Sequence, residues 1–91
     1  MLMHFTIEQR HLTDASGRPV PHAAAAVLFH SIEAESASDA ARLFVEQNSG
    51  QIIGEIVKFP GFHAVATMRS TNGVDTLQVA PSSQKFAPVS S

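Results

Sequence analysis

The sequence predicts an α+β fold: one helix packed on a mainly antiparallel sheet of about five strands, in the order β-β-α-β-β-β and in part ferredoxin-like. Three observations carry this. The first ten residues alternate apolar and polar, a central segment repeats its apolar residues at spacings of three and four, and two turn signals divide the residues that follow into strands.

In Leu2 to His11, Met3, Phe5 and Ile7 fall on one side and His4, Thr6, Glu8 and Arg10 on the other, the period of a half-buried strand. Thr13 to His22 holds Asp14, Gly17, Pro19 and Pro21, which favour turns or extended backbone, so a long loop is expected there. Within it, Asp14 to Arg18 offers amides and a guanidinium that suit an anion, or else forms a solvated turn. Ala24 to Glu35 contains Val27, Leu28, Phe29 and Ile32, a run suited to a strand buried on both faces.

Ser36 begins a helix over Ala37 to Gln47, because its hydroxyl can accept from the amide of Asp39 while the acid suits the helix dipole. Ala37, Ala40, Ala41, Leu43 and Phe44 form the packing stripe, with Asp39, Arg42 and Glu46 facing water. Gly50 is placed to take the left-handed conformation that closes the helix.

Gln51 to Phe59 and Phe62 to Thr71 read as strands joined by a tight Pro60-Gly61 turn, and Asn72-Gly73 suits a type I′ hairpin into a last strand. With those residues as the loop, Met68 lies opposite Leu77 and Ala66 opposite Val79, apolar against apolar. The tight first turn puts Ile53 and Val57 under the helix with Phe62, Ala64, Ala66 and Met68. Ile52, Ile56 and Val65 then fall on the opposite face, which one helix cannot cover.

The domain is expected over residues 1–80, with 81–91 a flexible tail rich in Pro and Ser and holding Phe86 as its only large apolar residue. At 91 residues there is room for one core, and 44% hydrophobic against 15% charged content marks a chain that folds.

The chain has no Cys, which removes disulfides and thiolate sites and favours a reducing, cytoplasmic setting. The N-terminus has no export pattern, and the longest apolar run is far short of the roughly 20 residues that span a bilayer. Net charge is −2 with six Lys and Arg thinly spread, so nucleic acid is not an expected partner. No glycine-rich phosphate cradle or nucleophile elbow is present, and no cofactor is expected.

Five histidines supply the neutral-pH bases, none spaced as H-x-H or H-E-x-x-H. Glu55 falls under the helix in the register above, where it becomes a candidate acid with His30 or His63, unless a bulge at Gly54 turns it outward. The leading expectation is a binding or assembly module that buries Ile52, Ile56 and Val65 in a homodimer or against a partner protein. The rivals are a small enzyme, by analogy with dimeric α/β barrels, using His30, His63 or Glu55 in a cavity, and a metal-binding module using His4, His30 and His63.

Overall fold

A computed structural model describes residues 2–21 and 27–82. In chain order the elements are β1 (Met3–Thr13), β2 (Val27–Ala34), α1 (Ala37–Gln47), β3 (Gln51–Ile52), β4 (Val57–Phe59), β5 (His63–Ser70) and β6 (Gly73–Pro81). The one helix packs on a six-stranded sheet in which every pair is antiparallel. Across the sheet the order is β2-β1-β6-β5, with β3 and β4 both lying on the outer side of β5. The expected outer strand is therefore present in two pieces. The helix carries the chain from one edge of the sheet to the other, and the meander from β3 to β6 returns it to β1.

Side-chain alternation in β1 places Phe5 and Ile7 under the helix, and pairing aligns them with Leu77 and Val79 of β6 and Ala64, Ala66 and Met68 of β5. Above them sit Ala37, Ala40, Ala41, Phe44 and Val45 of α1, so short alanines let the helix approach the sheet closely. Leu43, expected in this stripe, is instead 38% exposed, and Val45 takes its place. Ser36 caps the helix by accepting from the Asp39 amide at 3.1 Å. At the other end the left-handed residue is Ser49 rather than Gly50. The Ser49 and Gly50 amides donate back to Glu46 and Val45, which closes the last turn.

Both hairpins differ from the sequence reading. Ser70 pairs with Gly73, so Thr71 and Asn72 form the loop and Ala66 faces Leu77. The shift is by two residues, which leaves every side chain on its expected face. Gly73 is drawn into the ladder because it lies against the Thr13 carbonyl, where an added Cβ would sit 2.1 Å from that oxygen. In the other hairpin Phe59 pairs with His63, leaving three loop residues, Pro60, Gly61 and Phe62, instead of two.

That single extra residue turns the outer strand over. Val57 pairs with Val65, while Ile52 pairs with Met68 on the helix side. Between the two pieces, residues 53–56 stand against only Ala66 and Thr67 of β5, a bulge anchored by the Ile53 amide on the Thr67 carbonyl at 2.9 Å.

Residues 22–26, which include the end of the expected loop and the start of the expected second strand, lie outside the described residues, as does the tail from residue 83 on. Pro81 and Ser82, assigned above to the tail, are buried, Pro81 as the last residue of β6. No helix among the described residues is long and apolar enough to cross a membrane.

Candidate functional site

The residues singled out from sequence do not form one site. His30 lies on β2 and faces the helix side, while His63 opens β5 on the helix-free face. Two strands, β1 and β6, separate them, a distance of ~14 Å at the usual strand spacing even before the opposite faces are considered. Glu55 is exposed in the bulge beyond β5, turned outward after Gly54, which takes a φ of +71°. It is not a buried acid. Ile52 and Ile56 pack half-buried against the core on the helix side, so of the three residues expected on the open face only Val65 is there. His4 Nε2 lies 3.1 Å from a Glu33 carboxylate oxygen, both side chains exposed. Among the described residues no three His, Asp or Glu side chains converge as a metal ion requires.

The helix-free face has its own character. Val57 and Phe59, each about half exposed, stand beside Val65. An open hollow of about 410 Å³ is bordered there by Phe59, His63, Val65, Gln78 and Ala80. Farther across the face the strands carry Glu8, Arg10, Glu33 and Arg69, two acids and two bases. Glu8 and Arg10 pair with each other at 3.4 Å.

On the helix side lies a cluster the sequence reading missed. An 11-residue helix is ~16 Å long, whereas the 11 residues of β1 extend ~36 Å, so α1 covers less than half of the strand beneath it. The inward-facing positions beyond its reach are Gln9 and His11 of β1, Leu28 of β2 and Asp75 of β6, with His30 of β2 at the helix margin. Asp75 is opposite His11 across the ladder, and its side chain is 4% exposed.

One Asp75 oxygen bonds the His11 Nδ1, and the other accepts from Gln9 Nε2 at 2.6 Å. The Gln9 carbonyl oxygen in turn meets His30 Nε2 at 2.8 Å, and the His30 ring packs on Phe44 with centroids 4.6 Å apart. A carboxylate only accepts, so a His11 hydrogen sits on Nδ1, and in the neutral ring the lone pair is therefore on Nε2. Gln9 directs its amide nitrogen to Asp75 and its oxygen to His30. No buried side-chain nitrogen or oxygen among the described residues lacks a partner. A hollow of about 100 Å³ opens beside Gln9, His11, Leu28 and Asp75.

The Asp14 to Arg18 turn holds an anion of its own. The Asp14 carboxylate accepts from the Ser16 hydroxyl at 2.7 Å and from the Ser16 and Arg18 amides at 2.9 and 3.0 Å. The Ser16 hydroxyl, followed by the Arg18 amide, holds the Asp14 carboxyl below the usual carboxylate range. These donors are directed inward rather than offered to a ligand.

Comparison of the chain with protein-family models, with curated proteins and with solved structures finds no match.

Proposed function

We propose that this chain is a binding and assembly module that works as a homodimer, with the helix-free face of one copy closing on that of a second. The observation that carries the reading is the apolar corner on that face, where Val57 and Phe59 stand half exposed beside Val65 instead of under the helix. Five strand positions at ~4.8 Å and about eight residues at ~3.3 Å give a footprint on the order of 600 Å². Standard protein interfaces cover ~800 Å² on each partner, so the whole face is of the right order and a fraction of it is not. Its two acids and two bases make it electrically balanced, so a second copy meets no net repulsion, and a two-fold axis can set Glu33 of one copy toward Arg69 of the other.

Sedimentation velocity of the intact chain tests this. The expected result is a species of twice the 9.7 kDa chain mass at micromolar concentration. Val65→Asp should weaken the dimer by about a hundredfold or more, since an interface core does not tolerate an unpaired carboxylate. A wild-type chain that sediments as a monomer at every concentration refutes dimerisation. A dimer indifferent to Val65→Asp and Phe59→Asp refutes the choice of face.

A further inference from the structure

We propose that His11 is a nucleophilic imidazole, set in place by Asp75 and Gln9, that accepts and hydrolyses small uncharged acyl groups. The cluster is built in layers. Asp75 is buried and fixes the His11 ring through Nδ1, Gln9 fixes Asp75 through its second oxygen, and His30, stacked on Phe44, fixes Gln9. This leaves Nε2 as the ring atom with a free lone pair, on a side chain that is 32% exposed and borders the hollow shared with Leu28. A nucleophilic histidine needs that combination: a fixed tautomer, a carboxylate to stabilise the positive ring once it has reacted, and access for a reactant.

The hollow selects the reactant. About 100 Å³ corresponds to ~3 water molecules, which fits a group of acetyl size. Among the described residues Asp75 is the one carboxylate on its wall, so an anionic substrate is repelled, and Leu28 supplies an apolar side. In the reaction the Nε2 lone pair attacks the carbonyl carbon and forms the N–C bond, while the C–O bond to the leaving group breaks and takes its electrons with it. The acylated ring is positive, with its Nδ1 hydrogen still held by Asp75. Water then adds to the same carbon, the C–N bond breaks back to the ring, and the proton released passes through solvent to the departed oxyanion. The sum is ester plus water giving acid plus alcohol.

The site lies on the opposite side of the sheet from Val65, so it stands or falls independently of the dimer. Treating the full chain with p-nitrophenyl acetate and locating the acetyl group by peptide mass spectrometry tests it. The expected result is acetylation of His11 at least about tenfold faster than of His4, although the His4 side chain is 69% exposed. Asp75→Asn should lower the His11 rate by about tenfold or more, because a carboxamide that donates to Nδ1 moves the ring hydrogen to Nε2. Equal labelling of His11 and His4, or a rate unchanged in a folded Asp75→Asn chain, overturns the proposal. Should that variant not fold, the wild-type protein still decides the matter. Long-range ¹H–¹⁵N spectra must show His11 with its hydrogen on Nδ1, and a hydrogen on Nε2 overturns it.

Discussion

Replacing Gly73 with alanine should damage this protein more than any other single methyl addition at a glycine of positive φ. Gly73 has a φ of +123°, and an ideal Cβ there would lie 2.1 Å from the Thr13 carbonyl oxygen and 2.8 Å from the Asp14 carbonyl carbon and oxygen. All three atoms are backbone, so no side chain can swing aside. The conformation alone costs a non-glycine residue about 1–3 kcal/mol. Relief of the clash must part β1 from β6 at this end, which loses the bond from the Val74 amide to Thr13 Oγ1, worth about 1 kcal/mol, and strains the adjoining ladder by a similar amount. The sum is on the order of 3–5 kcal/mol, against a total stability of ~5–14 kcal/mol for a domain of this length.

Urea denaturation followed by circular dichroism measures the loss directly, and thermal melting should fall by at least ~12 °C. Gly17→Ala is the control. It carries the same kind of conformational penalty at a φ of +89° but has no atom within 4 Å of the added carbon, so it should lose only about 1–2 kcal/mol. Equal losses in the two variants would show that the close approach of Gly73 to β1 contributes nothing.

Three further outcomes follow from the same geometry. Ser36→Ala removes the acceptor for the Asp39 amide and should cost about 0.5–2 kcal/mol in urea denaturation. Leu77→Ala, at a fully buried position, should cost about 2–5 kcal/mol, whereas Leu43→Ala should cost under ~1 kcal/mol because Leu43 stands outside the packing stripe. The Asp14 carboxyl is held low in the folded protein, so its contribution is present above the unfolded carboxylate pKa and is lost as pH falls through the folded one. Stability profiles of wild type and Asp14→Ala should therefore differ at neutral pH and converge in acid.

Much of the architecture was legible because it rests on local periodicity. Phe5 and Ile7 alternate with polar neighbours, Ser36 stands three residues before Asp39, and Ala66 and Leu77 keep their face even when the hairpin shifts by two. The outer strand was not legible, because its facing depends on one integer, the number of residues between Phe59 and its partner. Pro60-Gly61 reads as a complete two-residue turn. Phe62 enters the loop at a φ of +64°, a conformation an aromatic residue rarely adopts and that no propensity signals. That one residue moved Ile52 under the helix and Val57 out of it, and with them the residues available to a partner.

The cluster around Asp75 was missed for a different reason, although its signal was present. Parity puts Gln9 and His11 on the same face as Phe5 and Ile7, and Asp75 on the same face as Leu77 and Val79. Polar residues at inward positions of two strands imply that the helix does not reach them, and 11 residues of helix against 11 of strand imply the same from length alone. What neither argument supplies is that β1 and β6 are neighbours, since Met3 and Pro81 stand at opposite ends of the described chain. Only that pairing turns three scattered polar residues into a histidine, its carboxylate and the amide that holds the carboxylate. In a sheet covered by one short helix, the inward face beyond the helix's reach is where such a chain has room for chemistry.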